Sequence, residues 1–415
     1  NNMVTKIYFP RLILPISSVF AGLVDFLIAF VILIGLLFYY QVSPAYNLLW
    51  TLPFFILLAI ITALGVGGEY SAVSSAISEF MPARSRGRSN GLVMSFWAVG
   101  GILASVVSIV VISALDLSWR YTLLFGVVSA GYGLIARRLI PESPRWLASR
   151  GRVEEADRVI EHISGIPTPT ASTDREVPRQ TFGGSVRELW AGHRSRLAFG
   201  MALDFSEAAG YYGLFTAMSV FVFSSATGQV PIDDAILPVY YLIANVGAMF
   251  GGIAISFALD AFGRRPTVTV SYTLAALSML GCAWAAGTGS ATLVLAAFTV
   301  AAFFATCAWV SAYPTIAELF PTHLRATGFG LSVGVGRTGA IVGQVILALV
   351  AIRFDAGSIF ALLAGSWLIG TVAGLIWWRT GQEANGRSLE SLVPTGPQRP
   401  TPAPAPAQAP ASRGG

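Results

Sequence analysis

Ten long apolar runs, separated by short polar connections, dominate the hydrophobic pattern of this chain. A helix needs roughly 20 mostly apolar residues to cross the hydrocarbon core of a bilayer, and each run is long enough to do so. The pattern therefore predicts an all-α polytopic membrane helix bundle of about ten transmembrane helices. The predicted spans are residues 12–40, 47–78, 90–113, 119–138, 197–225, 235–259, 266–287, 290–314, 326–351 and 356–378.

Positive charges fall in every second connection between these runs. The cation-rich connections are those before residue 12, at 84–88, at 137–196, at 264–265, at 325 and after 378. Loops rich in Lys and Arg stay on the cytoplasmic side of a membrane. The alternation predicts an integral protein of a bacterial-type cytoplasmic membrane, with both chain termini in the cytoplasm.

The longest polar stretch divides the predicted helices into two bundles. Within it, apolar residues of 153–163 recur at helical spacing, which predicts a short amphipathic cytoplasmic helix. Residues 165–184 have the composition of a linker, and the Pro- and Ala-rich end of the chain is typical of disorder. The predicted divisions are a two-helix segment 1–67, the remainder of the first bundle 68–140, a cytoplasmic connection 141–196, a second six-helix bundle 197–380 and a tail 381–415.

Composition narrows the class of function. Only 11% of the residues are charged, against roughly 25% in soluble domains, so the bilayer is an expected partner. The net charge of +5 is too small to indicate nucleic-acid binding. Lys6 is the only lysine, so the chain has no phosphate-binding P-loop and is not itself a P-loop ATPase. The pattern holds no metal-ligand set or nucleophile–base pair, and we expect neither an enzyme nor a bound cofactor or metal.

One loop pattern occurs twice. In both copies Pro follows Glu by three positions and Arg follows Pro by four. The repeated positions are Glu79, Pro82 and Arg86 in the first loop and Glu318, Pro321 and Arg325 in the second, each pair 239 residues apart. Internal repeats are typical of secondary transporters, although Glu and Arg at helix ends also occur simply as solvated residues. The carboxylate and the arginine could form a charge-assisted clamp between helices.

Residues 65–392 resemble the major facilitator superfamily, in its sugar and metabolite:proton symporter branch. The matching motifs are residues 65–69, 82–88, 141–146, 260–265, 318–328 and 386–390. The resemblance implies twelve helices in two halves that expose a central site to each side of the membrane in turn. It also implies a gating network of charges at the cytoplasmic face, formed by Glu69, Glu79, Arg86, Glu142, Arg145, Asp260, Arg264, Arg265, Glu318 and Arg325.

The first half departs from that family pattern. Only two spans precede Glu79, whereas four spans of the second half precede Glu318. Residues 1–67 instead resemble the permease of an ABC-type polysaccharide or polyol exporter. We therefore expect an incomplete N-terminal half, and we hypothesise a fusion or a sequence misassembly near residue 67.

Charged residues within membrane spans are costly and are candidates for function by default. Asp204 and Glu207 lie three positions apart in the fifth predicted span. Burial favours the protonated form of a carboxyl group, so this pair could bind a proton or a cationic substrate group, or could simply begin the helix at the interface. Arg337 in the ninth span could bind an anionic substrate or pair with either carboxylate.

The resemblance further implies that aromatic and amide side chains line the central cavity, although Trp and Tyr in membrane spans also serve as interfacial anchors or in packing. The residues concerned are Tyr211, Tyr212, Asn245, Trp309, Tyr313 and Gln344. The expected function is secondary transport of a small organic solute such as a sugar or organic acid, with the proton as coupling ion. The alternatives are a non-transporting chimera and an ABC permease subunit that needs a separate ATPase.

Overall fold

The computed structural model describes residues 57, 85–139, 147, 152–164, 182–225, 228–321, 324–351 and 355–381. Within these ranges the chain forms helices and no strands, as the hydrophobic pattern predicts. The α-helices are α1 Arg86–Ser108, α2 Leu124–Leu139, α3 Val153–Ser164, α4 Phe182–Gly192, α5 Arg194–Thr216, α6 Leu237–Phe262, α7 Arg264–Gly287, α8 Ala291–Glu318, α9 Arg325–Gly336, α10 Thr338–Ala351 and α11 Ala356–Thr380. Two of them, α1 and α5, continue as π-helices, Ile109–Ala114 and Ala217–Val222.

Eight of the predicted spans coincide with helices, and the spans 12–40 and 47–78 lie outside the described residues. Six segments of the described chain are long and apolar enough to cross a membrane. They are Gly87–Ala114, Leu237–Phe262, Arg264–Gly287, Ala291–Glu318, Thr327–Val350 and Ala356–Thr380. Helix α2 is not among these six segments because it has only 16 residues. Helix α5 is more polar because it carries Asp204 and Glu207.

The predicted span 326–351 is one membrane-crossing segment that is interrupted at a single residue, Arg337, whose backbone angles stay helical at φ −57° and ψ −20°. Helix α9 ends at Gly336 and α10 begins at Thr338, so the two meet at Arg337. Five glycines lie between residues 328 and 339, and glycine lowers helix stability by about 1 kcal/mol relative to alanine. The glycine-rich sequence therefore permits a break in the middle of the span.

A seam of small residues joins α1, from the first predicted bundle, to α6 of the second. The helices run antiparallel and approach so closely that a Cβ on Gly91 would lie 2.4 Å from Ser256 Oγ. Small side chains let membrane helices pack at such short range. The facing pairs are Gly87 with Asp260, Gly91 with Ser256, Ser95 with Gly252 and Gly101 with Asn245.

Helix α5 lies at the centre of the second bundle, packed against α8, α9, α10 and α11. Glycines lie at its contacts with α9 and α10, as they do in the α1–α6 seam. A Cβ on Gly336 would lie 2.4 Å from Asp204 Cβ, and one on Gly339 would lie 2.2 Å from the Phe205 carbonyl oxygen. On the other side, Gly210 of α5 accommodates the indole ring of Trp367. These close approaches fix which face of α5 points at each neighbour.

Two short helices occupy the connection between the bundles. The predicted amphipathic helix is α3, in which Ala156 is buried. Arg152 donates two hydrogen bonds to Glu155 and lowers the pKa of that carboxyl group. Helix α4 was not predicted from the sequence. It begins within the predicted linker 165–184, at Phe182, and packs against α5 and α9.

Candidate functional site

A guanidinium group occupies the break between α9 and α10. Arg337 donates hydrogen bonds to the hydroxyl oxygens of Tyr212, at 3.1 Å, and of Tyr313. Its Nε atom lies 3.9 Å from Asp204 Oδ2. Residues of α5 and α8 therefore surround the charge that the helix break brings into the bundle.

Two carboxyl groups share this region of α5. Asp204 is fully buried, and Glu207 is 2% exposed. Glu207 Oε2 is buried and has no hydrogen-bond partner within the described part of the chain. Because buried charge is costly unless it is compensated, the set of Asp204, Glu207 and Arg337 is balanced when one carboxyl group carries a proton. The arrangement can therefore hold a proton, and it can accept an additional anion together with a second proton.

Four aromatic rings form a continuous series beside this charged set, which we call the aromatic arc. It consists of Trp97 on α1, Trp309 on α8, and Tyr211 and Tyr212 on α5. Ring centroids lie 6.0 Å apart for Trp97 and Trp309, 6.2 Å for Trp309 and Tyr211, and 6.0 Å for the two tyrosines. The inner members Trp309 and Tyr211 are buried, whereas Trp97 and Tyr212 at the ends are exposed by 47% and 37%.

Of the residues predicted to line the cavity, the structure brings Asp204, Tyr212, Tyr313 and Arg337 into direct contact. Tyr211 and Trp309 join them through ring contacts. Asn245 lies instead in the α1–α6 seam. Its amide nitrogen donates to the Tyr241 carbonyl oxygen at 2.8 Å, and a Cβ on Gly101 would meet its Oδ1 atom at 2.3 Å. Gln344 is half-buried on α10, about two turns beyond Arg337.

A second charged cluster lies at the end of the bundle that the sequence assigns to the cytoplasm. Arg264 donates two hydrogen bonds to the Glu318 carboxylate, at 2.9 and 3.1 Å, and one to Asp260 Oδ1 at 3.1 Å. The Arg88 backbone N–H, in the first turn of α1, donates to the other oxygen of Asp260 at 2.9 Å. This cluster therefore links the start of α1 to α6, α7 and α8.

The remaining residues of the predicted gating network are only partly described. Arg265 donates to the Trp378 carbonyl oxygen of α11 at 3.4 Å, and Arg325 begins α9. Arg86 begins α1, and the structure describes its backbone alone. Glu69, Glu79, Glu142 and Arg145 lie outside the described residues.

Two residues that border the site have no distinctive sequence pattern. Trp97 completes the aromatic arc, and the only sequence signal for it was a tryptophan in the middle of the predicted span 90–113. Gly336 lets α9 pack against Asp204, and nothing in the sequence distinguishes this glycine from the neighbouring ones. Both depend on how helices from distant parts of the chain pack together.

The chain has the fold of solved major facilitator superfamily transporters: it matches a structure of the proton:xylose symporter XylE with a TM-score of 0.62 and 20% identity, over 91% of this chain and 82% of that one. A family model described as "Sugar (and other) transporter" matches residues 16–392, and the chain belongs to that family. The match begins well inside the segment 1–67 for which we hypothesise an ABC permease origin. The comparisons therefore give that fusion no support.

Curated relatives and solved structures agree with the family. The chain is 27% identical over 351 residues to the niacin transporter NiaP of Acinetobacter baylyi, covering 83% of this chain and 76% of the relative. It is 26% identical over 343 residues to the putative niacin/nicotinamide transporter NiaP of Bacillus subtilis, covering 82% and 76%. A partially occluded, inward-open structure of the xylose transporter XylE from Escherichia coli matches with a TM-score of 0.59 and 18% identity, over 91% of this chain and 82% of that one.

Proposed function

We propose that this chain is a proton-coupled symporter of a small organic anion. The observation that carries the proposal is the buried set of Arg337, Asp204 and Glu207 at a helix break in the middle of a membrane span. Ionisable side chains at such depth are costly, and they mark substrate and proton pathways in transporters.

An anion fits this site better than a neutral solute does. The Nε atom of Arg337 lies 3.9 Å from Asp204, a separation longer than a hydrogen bond, so a substrate carboxylate could take over this contact. Arginine binds planar carboxylates through two parallel N–H donors. Two relatives carry niacin in their names, and niacin is a pyridine carboxylic acid, which agrees with this class of substrate.

Asp204 and Glu207 couple the binding of substrate to the binding of a proton. When a substrate carboxylate binds Arg337, the site holds three acidic groups and one guanidinium. The empty site is balanced by one proton, so the extra negative charge is balanced by a second proton, on the carboxyl group that is still ionised. Substrate and proton therefore favour each other's binding, which is the linkage that symport requires. Opening of the Arg264–Glu318–Asp260 cluster would expose the loaded site to the cytoplasm.

The experiment uses the full chain reconstituted in liposomes and radiolabelled nicotinate as the probe. Unlabelled nicotinate and nicotinamide are matched competitors because they share the pyridine ring but only nicotinate carries a charge. We expect nicotinate to compete at about tenfold lower concentration or better, the worth of a charged hydrogen bond. Arg337→Gln should abolish the preference, and Arg120→Gln, at an exposed site, should keep it. Equal competition by both compounds in the wild type would overturn the proposal.

A second candidate is a non-transporting chimera, and the resemblance of residues 1–67 to an ABC permease is the observation that favours it. A single long read of source DNA across codons 55–80 tests it. A junction present in one reading frame supports a real fusion. A read without the junction identifies a sequence error, and the symporter proposal then applies to the corrected protein.

A further inference from the structure

The side chain of Arg337 leads away from the carboxylate nearest to its backbone. Gly336, directly before it, packs so closely on α5 that a Cβ there would lie 2.4 Å from Asp204 Cβ. The backbone at Arg337 is therefore held beside Asp204. The two terminal nitrogens instead donate to the hydroxyl oxygens of Tyr212 and Tyr313. Tyr212 lies eight positions beyond Asp204 on α5, about 12 Å of helical rise.

Neighbouring rings hold both tyrosines in place. Tyr313 is 3% exposed, and its ring packs edge-to-face on Trp309 and Phe329 with centroid distances of 5.9 and 5.8 Å. The ring of Tyr212 packs edge-to-face on Tyr211 at 6.0 Å. These contacts limit the movement of the two hydroxyl groups, so the guanidinium group that donates to them is held in a defined place.

The two hydroxyl groups compete with Asp204 for the guanidinium group. Only Nε of Arg337 faces Asp204, and it lies 3.9 Å from Oδ2, beyond hydrogen-bond range. A close arginine–carboxylate pair uses two parallel N–H donors, so it needs at least one terminal nitrogen. Both terminal nitrogens are drawn instead towards Tyr212 and Tyr313. The observed geometry is therefore that of an ion pair kept open.

Tyrosine is suited to hold an arginine that must bind an anion. A phenol hydroxyl group carries no charge at neutral pH, so it orients the guanidinium group without cancelling its charge. A carboxylate in close contact would cancel most of that charge and weaken the attraction for a substrate anion. The two hydroxyl partners therefore leave the positive charge of Arg337 available.

We propose that Tyr212 and Tyr313 are positioning residues that keep Arg337 from closing on Asp204 and so keep it available to a substrate carboxylate. Without one of these hydroxyl groups, we expect the guanidinium group to pair closely with Asp204, beside which its backbone already lies. This inference rests on the proposed function. Both tyrosines act through Arg337, so their effect applies to any anionic substrate.

The test is nicotinate counterflow in liposomes that contain the full chain, with unlabelled nicotinate and nicotinamide as competitors. Tyr313→Phe keeps the ring and removes only the hydroxyl group. It should reduce the nicotinate preference from about tenfold to about threefold or less. Tyr241→Phe is the matched control because it removes a hydroxyl group that donates to the Phe215 carbonyl oxygen, at 2.8 Å, and should keep the preference. An unchanged preference in both Tyr313→Phe and Tyr212→Phe would overturn the proposal.

A second substitution separates positioning from packing. Asp204→Asn added to Tyr313→Phe removes the charge that captures Arg337, so the nicotinate preference should return to about tenfold. Counterflow suits this variant because exchange of bound substrate requires no net proton movement. A loss that Asp204→Asn does not restore would mean that Tyr313 only supports packing, which contradicts the positioning role. If Tyr313→Phe does not fold, Tyr212→Phe takes its place in the same pair of measurements.

Failure of this inference and failure of the proposed function look different. If the wild type prefers nicotinate, Arg337→Gln removes the preference and both tyrosine variants keep it, the carboxylate site exists and only the positioning role is wrong. If nicotinate and nicotinamide compete equally in the wild type, the proposed function fails and this inference fails with it.

Discussion

At the scale of the residue, the position of Asp204 depends on the absence of a side chain at Gly336. A Cβ there would lie 2.4 Å from Asp204 Cβ and 2.7 Å from its Oδ2 atom, distances at which one of the groups must move. Asp204 lies on α5, so any displacement there also shifts its distance from Arg337. The glycine is thus a structural requirement of the charged site.

Gly336→Ala should therefore destabilise the protein by about 1–3 kcal/mol, the usual cost of an overpacked core position. Thermal unfolding of the purified protein in detergent measures this. Gly281→Ala is the control because a Cβ there meets no atom within 4 Å. That variant should be neutral or slightly stabilising, since alanine is the better helix former. Equal losses of stability in the two variants would mean that the close approach of Gly336 to Asp204 does not affect stability.

The sequence indicated the charged residues of the site and a possible pairing of Arg337 with either carboxylate, but not the hydrogen bonds from Arg337 to Tyr212 and Tyr313. Asp204, Glu207 and Arg337 stand out because charge is rare inside apolar runs. Trp97 did not stand out, since aromatic residues are common in membrane spans and its role depends on a neighbour more than 200 positions away, Trp309. Asn245 was predicted to line the cavity, and the structure places it in a helix seam.

At the scale of the element, the α1–α6 seam holds together helices from the two predicted bundles. Its small residues let the helix axes approach until side chains of one helix touch the backbone of the other. A Cβ on Gly91 would lie 3.1 Å from Ser256 Cα. In a bilayer, close packing of this kind is a main source of helix association.

Replacing Gly91 with valine should separate α1 from α6 and lower both thermal stability and uptake. Gly100→Val is the matched control on the same helix because a Cβ at Gly100 meets nothing within 4 Å. Thermal unfolding of both variants in detergent measures the loss of stability. A control that loses as much stability as Gly91→Val would show that valine disturbs α1 itself rather than the seam.

The Arg264–Glu318 ion pair should stabilise the contact between α7 and α8. The Arg264 side chain is only 5% exposed, so Arg264→Gln leaves two carboxylates without their cation and should cost about 3–5 kcal/mol. Glu318→Gln added to it should restore part of the loss. A double-mutant cycle measured by thermal unfolding gives the coupling, and purely additive losses would contradict a direct pair.

Helical elements were predictable from hydrophobic runs, but their interruptions were not. The run 326–351 is continuous in hydropathy, yet the helix is interrupted at Arg337, between glycines that lower helix stability. Helix α4 was missed because its three glycines and short length resemble a linker. Packing against α5 and α9 stabilises it, and no local pattern reports that contact.

At the scale of the whole molecule, the alternation of arginine-rich loops predicts which end faces the cytoplasm. The two natural cysteines are buried, so introduced cysteines can report orientation. Asp234→Cys, in a connection without cations, should react with an impermeant maleimide in intact cells. Arg152→Cys, between the bundles, should react only after lysis. The reverse pattern would invert the predicted topology.

The most direct test of the account is whether substrate carries protons across the membrane. Nicotinate added outside liposomes that contain the protein and a trapped pH dye should acidify the lumen faster than in protein-free liposomes. Asp204→Asn combined with Glu207→Gln should abolish that difference but keep nicotinate counterflow, because either carboxyl group can carry the coupling proton and exchange of bound substrate requires no net proton movement. Saturable nicotinate uptake with no acidification beyond the protein-free rate would contradict proton coupling at this site.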